Sequence, residues 1–374
     1  MTLLNRKECS ALRGWAIIGI FMHNYLHWLG GMVKENEYQY HQGNVDRLMQ
    51  LLLNPSWDLP LQLFSFFGHY GVPVFLFLSG YGLVLKYEGK VNAPTPPLVS
   101  EGESVTSAGK VKAVVSFVWQ HFMKLFPMML LGFSVFAMVD WITPGHHHWK
   151  WQDILMQLTM TINFSPVPDK VIWPGPYWFF GLIMQLYIVY RLLLYRRHWG
   201  WTVGSIVVCW AIQQACMNSP EGDAINIIRY NCIGGMLPFG MGLLLARAEG
   251  AAGKTGRLMD RLRNGSGGMW GDIFCASVII VFLLSMSFSS WLWVPAFIVV
   301  VNVSFIKRSP QWLVDMLSWM GTISAAIFVC HPITRKIFIP ISRHGDTLDG
   351  LVLYIVATIT LAMVFNMIIQ KRKA

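Results

Sequence analysis

Charged residues are scarce in this sequence. Asp, Glu, Lys and Arg make up 13% of its 374 residues, whereas hydrophobic residues make up 54%. A soluble domain carries about 25% charged residues, so this composition argues against a large soluble protein and indicates a polytopic membrane protein. The net charge is +10, but Lys and Arg fall mostly between apolar segments. That distribution argues against nucleic-acid binding and favours membrane orientation and contact with anionic lipid.

The sequence also lacks a cysteine pattern that would bind a metal or form a disulfide framework. Five of the six cysteines lie in or at the ends of apolar segments, which predicts buried small hydrophobic residues. No cleavable signal peptide is recognisable, because the first apolar run is too long and has no small-x-small cleavage site. We therefore expect that run to remain as a first membrane helix. The cysteines are Cys9, Cys209, Cys216, Cys232, Cys275 and Cys330.

Ten apolar segments predict an all-α integral membrane protein with a single domain over residues 1–374. This number of crossings puts every strong basic cluster on one side, which the positive-inside rule assigns to the cytoplasm together with both termini. We expect a flexible cytoplasmic loop at about 86–112 and an external segment at about 140–176. The predicted helices cover roughly residues 11–30, 61–85, 114–139, 177–195, 199–216, 232–248, 272–288, 291–306, 318–339 and 349–369.

The first apolar segment carries ionisable residues at different depths. Ten residues of α-helix separate Arg13 from His23 by ~15 Å, about half of a ~30 Å hydrocarbon core. If Arg13 lies at one membrane face, His23 lies near the midplane, where ionisable groups usually serve a function. His23 is therefore a candidate general base and Arg13 a candidate ligand for an anion. The alternatives are a structural histidine and a cation that only orients the helix.

His27 follows His23 by four residues on the same helix face. Such a pair is compatible with metal binding, but no acidic third ligand lies in that helix, and we predict no metal site. None of the ten predicted helices has an Asp or Glu in its middle. Carboxylate chemistry within the membrane is therefore not expected, and histidine should perform most of any acid–base work.

Other apolar segments carry further candidates for substrate binding. His69 lies in a stretch rich in small residues, which fits either close helix packing or a ligand site. Lys124 lies ten residues into an apolar run, where it either snorkels to the interface or binds an anion inside a cavity. Trp178 suits an interfacial aromatic belt, whereas Gln185 favours contact with a partner or ligand. His331 lies at a depth similar to that of the first-helix histidine, so the two histidines can face one cavity.

These segments, in their order and spacing, resemble the integral-membrane acyltransferase 3 family from Leu12 to about Phe338. The family typically has ten membrane helices, which agrees with the independent count. The similar stretches are LRGWAIIGIFMH, GVPVFLFLSGYGL, MKLFPMMLLG, PYWFFGLIMQLYIVYRLLL, LPFGMGLLLA and LSWMGTISAAIFVCHPI.

The resemblance implies transfer of an acyl group, often acetyl, from acyl-CoA to a hydroxyl of an envelope polysaccharide, a glycolipid or a small molecule. It makes His23 the main catalytic candidate, with Arg13 and Lys124 as ligands of the anionic donor. Acyl-CoA would be a co-substrate, with no bound cofactor, and the expected location is the bacterial cytoplasmic membrane. A covalent acyl-histidine intermediate and a homo-oligomer are open alternatives. The rival function is a transporter or exporter of a glycan or lipid intermediate.

Two positions depart from the family pattern. The arginine and histidine of the first helix are usually eleven residues apart, but here they are ten apart, which leaves Arg13 and His23 ~80° apart around the helix. Asn24 occupies the in-phase position, and either a local bulge or the long side chain of Arg13 would compensate. Many relatives carry an acidic pair in the mid-chain helix, where this sequence has Met184 and Gln185.

Overall fold

The computed structural model describes residues 2–88, 107–251 and 253–371. These residues form helices and no β-strand, which confirms the all-α prediction. The α-helices are α1 (Arg6–Leu26), α2 (Gln42–Leu53), α3 (Leu59–Phe67), α4 (Gly71–Tyr87), α5 (Ser107–Ile142), α6 (Trp151–Leu158), α7 (Pro168–Val171), α8 (Trp178–Val189), α9 (Trp199–Gln214), α10 (Asp223–Tyr230), α11 (Cys232–Glu249), α12 (Gly253–Arg263), α13 (Gly267–Leu284), α14 (Phe288–Trp291), α15 (Val294–Arg308), α16 (Gln311–Thr322), α17 (Ser324–Arg343) and α18 (Thr347–Lys371). Short 3-10 turns cover Gly68–Tyr70, Ile162–Phe164 and Gly175–Tyr177, and a π-helical turn covers Tyr190–Leu194.

Six helical segments in the described part of the chain are long and apolar enough to cross a membrane. The remaining four predicted spans fall on α1, α9, α11 and α15. Helices α9 and α15 have 16 and 15 residues, fewer than the ~20 that a span needs, whereas α1 and α11 are long enough but less apolar. The chain therefore fits an integral membrane protein, while ten crossings and cytoplasmic termini stay predictions. The six segments are Leu59–Tyr87, Val111–Ile142, Gly175–Leu194, Gly267–Leu284, Ser324–Arg343 and Thr347–Gln370.

The ninth predicted helix, 318–339, is two helices in the structure. Helix α16 ends at Thr322 and α17 begins at Ser324, because Ile323 leaves helical geometry with φ −105° and ψ 6°. Close packing holds the chain at this point: a Cβ on Gly321 would lie 1.9 Å from the Ser10 carbonyl oxygen of α1. The prediction of one continuous helix was therefore wrong. For the predicted loop 86–112, residues 89–106 lie outside the described residues.

Helix α1 lies between α16, α17, α4 and the turn that precedes α4. Glycines permit this close approach. A Cβ on Gly14 would lie 1.9 Å from the Leu317 carbonyl oxygen, and one on Gly68 would lie 2.4 Å from the Gly19 carbonyl oxygen. Dense packing of small residues is typical of membrane helix interfaces. This packing fixes the position and rotation of α1 relative to its neighbours. It therefore determines which side chains α1 presents to the interior.

Asp140 holds the predicted external segment, residues 140–176, against the helices. This side chain is fully buried. It accepts hydrogen bonds from the His147 backbone N–H at 2.8 Å and from Trp173 Nε1 at 3.1 Å, and it pairs with the Lys336 ammonium of α17. The carboxylate thus ties α5, α17 and the returning segment together, and the 3-10 turn Gly175–Tyr177 packs against α17.

Candidate active site

Two neighbouring cavities lie beside α1. The first, here called the Arg13 cavity, has a volume of about 360 Å³ and includes Arg13 and Lys124 in its lining. The second, called the His23 cavity, has a volume of about 180 Å³ and includes His23. Three apolar side chains line both cavities and form a common wall between them, called the partition: Ile20, Val72 and Phe328.

The Arg13 cavity brings together two cations that the sequence places on different helices. Arg13 of α1 and Lys124 of α5 are exposed side chains, and neither forms an ion pair within the described residues. Ser79 and Tyr187 add hydroxyl groups, and most of the remaining lining is apolar. The cavity therefore combines positive charge for an anionic group with an apolar surface for a long chain.

His23 presents one basic nitrogen to its cavity. Its Nδ1 lies 2.7 Å from the Ser65 carbonyl oxygen. A carbonyl oxygen only accepts hydrogen bonds, so in the neutral ring Nδ1 carries the proton and Nε2 carries the lone pair. No described residue forms a hydrogen bond with Nε2, and this atom is not fully buried. A neutral histidine held this way is arranged to accept a proton from a bound molecule.

The carbonyl that orients His23 is itself fixed by local contacts. The Ser65 hydroxyl donates to the Val33 carbonyl at 2.6 Å. Just beyond α3, Gly68 packs so closely that an added Cβ would lie 2.8 Å from the His23 Cβ. The imidazole is therefore positioned by both the backbone of α3 and the contact between α1 and the following turn.

A buried acidic side chain that the sequence did not single out lies next to this site. Glu35 lies in the segment between α1 and α2, is 5% exposed, and accepts from Tyr70 Oη at 3.0 Å and from Trp291 Nε1 at 2.8 Å. Its second oxygen lies 3.5 Å from His69 Nε2. Burial raises the pKa of Glu35 to about 8, although the two hydrogen bonds oppose that rise. The side chain is therefore mainly a neutral carboxylic acid at pH 7.

His69 lies between this carboxylic acid and the candidate base, and neither of its ring nitrogens has a hydrogen-bond partner among the described residues. The His69 ring is 2% exposed and lines the His23 cavity. Its centroid lies 5.0 Å from that of His23, in an edge-to-face arrangement. Glu35 lies outside the helices, so the expectation that no carboxylate chemistry occurs within the membrane stays a prediction. The polar segment KENEY gave no signal of burial, and Glu35 enters the core from that segment.

An aromatic wall closes another side of the His23 cavity. Tyr38 and Tyr230 stack with centroids 4.0 Å apart and an interplanar angle of 3°, and Trp178 meets both rings edge-on. Glu37 lies beside them, and burial raises its pKa to about 7. The Arg229 guanidinium donates to the Glu37 carbonyl and to Gln213 Oε1, the latter at 2.9 Å. Trp178, predicted as a substrate ligand or belt residue, thus lines the cavity.

Arg335 of α17 also lines the His23 cavity and was not selected from the sequence. It is 7% exposed. It donates to the Asn24 carbonyl oxygen at 3.3 Å and to Asn24 Oδ1 at 3.5 Å. In the sequence, Arg335 lies in the basic run TRK near a helix end. Such a position is also typical of a residue that only orients a membrane helix.

Two predicted ligands do not reach either cavity. His331 is fully buried in α17, its Nδ1 lies 3.2 Å from the Ile327 carbonyl oxygen, and its Nε2 has no partner within the described residues. Gln185 uses both ends of its amide at the start of α11, where it bonds Asn231 Oδ1 at 2.8 Å and the Cys232 backbone N–H at 2.9 Å. Neither residue lines the two cavities, and a role in substrate binding stays a prediction for both.

The ten-residue spacing in the first helix has a structural consequence. Helix α1 is regular from Arg6 to Leu26, without a π-helical bulge, so the proposed local bulge is wrong. Arg13 and His23 line different cavities, and Ile20 lies between them as part of the partition. Asn24, in the position in phase with Arg13, lines the His23 cavity and contacts Arg335.

A third cavity, of about 390 Å³, lies on another side of α1 and is almost entirely apolar. Its polar lining side chains are Tyr70 and Asn302. Tyr70 is bonded to Glu35, and the Asn302 amide donates to the Ile298 carbonyl at 2.7 Å. The described residues also contain no group of three or more His, Cys, Asp and Glu side chains that is arranged to hold a metal ion.

Comparison with known proteins bears on nearly the whole chain. A family model for acyltransferase 3, described as an acyltransferase domain, matches residues 7–367. No curated protein and no solved structure gives a significant match. The matched region includes every residue that lines the two cavities. The chain therefore belongs to the acyltransferase 3 family of membrane acyltransferases.

Proposed function

We propose that this protein transfers an acyl group, most simply acetyl, from acyl-CoA to a hydroxyl of an envelope-associated carbohydrate or glycolipid, with His23 as general base. One observation carries the proposal. The Nδ1 atom of His23 is committed to the Ser65 carbonyl, which leaves Nε2 as the basic atom in a cavity that adjoins the cationic Arg13 cavity.

The choice of acyl-CoA as donor rests on the Arg13 cavity. Coenzyme A carries phosphate groups, and Arg and Lys are the side chains that bind phosphate most effectively. Arg13 and Lys124 have no carboxylate partner among the described residues, so their charges are available to a ligand. The apolar lining, which includes Phe75 and Phe179, suits the extended thioester arm. The arm would pass the partition to bring the thioester carbonyl to His23.

The proposed chemistry is a direct acyl transfer. The acceptor oxygen attacks the thioester carbonyl while His23 Nε2 takes the hydroxyl proton. The new C–O bond forms, the C–S bond breaks, and the departing thiolate takes the proton from the imidazolium. The Ser65 carbonyl accepts the Nδ1–H bond throughout and stabilises the cationic ring. General acid–base catalysis of this kind contributes ~10²–10⁴-fold in rate.

A carbohydrate acceptor is proposed from the lining of the His23 cavity. The Tyr38–Tyr230 stack and Trp178 offer flat apolar surfaces, and Asn36 and Glu37 lie among them. Binding sites for polar organic molecules typically combine such surfaces with a few hydrogen-bonding groups. We place the reaction in the bacterial cytoplasmic membrane, where the cytosolic donor meets envelope precursors.

The test uses purified protein, labelled acetyl-CoA and an extract of envelope glycans. Labelled glycan should form with the wild type and with His146→Ala, because His146 is exposed and lines none of the three cavities described above. It should not form with His23→Ala. Uptake of glycan into proteoliposomes without a covalent product would support the rival transporter. Undiminished transfer by His23→Ala would overturn the role of the histidine.

A further inference from the structure

Arg335 is a buried cation without an acidic partner among the described residues. Its guanidinium has five N–H donors, yet its contacts are the two long hydrogen bonds from one nitrogen to Asn24 and a stacking contact 5.0 Å from the Trp28 ring. None of the ion pairs of the described residues includes it. Several donor positions of the guanidinium are therefore free.

Two other partly buried cations of this chain are each paired with a carboxylate. Arg247 forms two bonds with the Glu88 carboxylate, each 2.9 Å long. Lys307 lies 2.8 Å from Glu8 Oε1. Leaving a buried charge without an opposite charge is costly, because the surrounding protein replaces water poorly. Arg335 departs from this pattern at a position where its side chain lines the His23 cavity.

The surroundings reinforce a preference for an anion. Arg343, a second cation, lies 5.8 Å from the same Trp28 ring. The carboxylate in the lining of the His23 cavity is Glu37, and Arg229 binds the backbone of that residue. The part of the cavity around Asn24, Trp28 and Arg335 therefore has positive charge and no acidic side chain.

We propose that Arg335 forms an anion-binding subsite in the His23 cavity and recognises a carboxylate or phosphate group carried by the acceptor. The description of this ligand as an acceptor rests on the proposed function; the binding site itself does not. A guanidinium binds a carboxylate or phosphate through two parallel N–H···O bonds. Asn24 and Trp28 keep the guanidinium beside His23, so a bound anion would hold a nearby acceptor hydroxyl at the base.

The binding test needs neither donor nor turnover. Thermal unfolding of the detergent-solubilised protein is followed with glucuronate, with its uncharged methyl ester and with inorganic phosphate. Glucuronate should raise the Tm of the wild type and the ester should not. Arg335→Gln should weaken glucuronate binding about 10- to 100-fold, Arg335→Lys should retain part of it, and Arg308→Gln, at an exposed cation over Phe274, should leave it unchanged.

The same variants separate ligand binding from a structural role. Arg335→Gln should unfold no earlier than the wild type without ligand, because it removes a charge that has no partner. If Arg335→Gln instead lowers the Tm and retains the full glucuronate-dependent rise, the subsite is wrong. Equal Tm rises with glucuronate and with its ester would also overturn the proposal, as would a phosphate or glucuronate effect that persists undiminished in Arg335→Gln.

An activity measurement distinguishes an acceptor subsite from direct stabilisation of the reacting carbonyl. Acetyl transfer is compared between an oligosaccharide that ends in glucuronate and the same oligosaccharide as its methyl ester. Arg335→Gln should abolish the preference for the charged acceptor, mainly through KM. An equal loss of kcat with both acceptors would show that Arg335 acts on the reacting atoms and would refute the subsite. If the extract of envelope glycans yields no labelled product with the wild type but the wild type still binds glucuronate, the proposed function fails and the subsite stands.

Discussion

Substitution of Gly68 tests how tightly the fold must position His23. A Cβ at residue 68 would lie 2.4 Å from the Gly19 carbonyl oxygen and 2.8 Å from the His23 Cβ. The first separation is about 1 Å shorter than an ordinary contact, so α1 and the turn before α4 must move apart by about that distance. Misplacement of a catalytic group by about 1 Å can reduce the rate ~10²-fold. We therefore expect Gly68→Ala to lower kcat by about two orders of magnitude.

The stability of this variant should change much less than its activity. Overpacking costs about 1–3 kcal/mol, and replacement of a helical glycine by alanine offsets roughly 0.5–1 kcal/mol of that loss. Gly82→Ala is the matched control, because Gly82 lies on the same helix as the partition residue Val72 and a Cβ there meets no atom within 4 Å. Gly82→Ala should be as active as the wild type and equally or more stable.

The assay measures acetyl transfer by purified protein at saturating acetyl-CoA and acceptor, with thermal unfolding of each variant in parallel. A folded Gly68→Ala protein with the kcat of the wild type would refute the positioning argument. So would an equal loss of kcat in Gly68→Ala and Gly82→Ala, because only the former substitution forces α1 to move.

Three further predictions concern buried charges and the donor. The raised pKa of Glu35 makes its protonated form the stable one in the fold, so the wild type should lose stability as the pH rises from about 4.5 to about 8. Glu35→Gln should fold and should not show this loss. Denaturation across that pH range measures the difference, and an unchanged pH dependence would contradict the prediction. Asp140→Ala should lower the free energy of unfolding by roughly 3–5 kcal/mol, because it leaves the mostly buried Lys336 unpaired; a change below 1 kcal/mol in denaturant titrations would be inconsistent with this pair. Arg13→Gln and Lys124→Gln should each raise the KM for acetyl-CoA at least tenfold and should affect dephospho-CoA thioesters less, and unchanged donor KM values would remove both cations from the donor site.

The positions of ionisable residues along the predicted membrane helices were sufficient to predict part of the site. Arg13, His23 and Lys124 stood out because ionisable residues inside apolar runs are rare, and the structure gives each of them a place in the lining of one of two adjoining cavities. The roles of these residues stay predictions. The all-α fold followed from the long apolar runs, and the family assignment followed from the order of the motifs.

The missed residues gave no comparable signal. Glu35 lies in a polar segment that has neither helical periodicity nor high hydropathy, and its burial depends on Tyr70 and Trp291, which are distant in sequence. Arg335 lies among other basic residues, so its lack of an acidic partner is visible only in three dimensions. Gln185 was selected for its polarity within an apolar helix, but its partners are Asn231 and Cys232 at the start of α11.

We expect the donor to bind in the Arg13 cavity while His23 performs the chemistry in the neighbouring cavity. The most direct measurement is the transfer rate of His23→Ala at saturating substrates, together with its Kd for acetyl-CoA. We expect kcat to fall by at least about 10²-fold while the Kd for acetyl-CoA stays within about twofold of the wild type. A variant that transfers acetyl at the normal rate, or that loses donor binding while it remains folded, would contradict the claim.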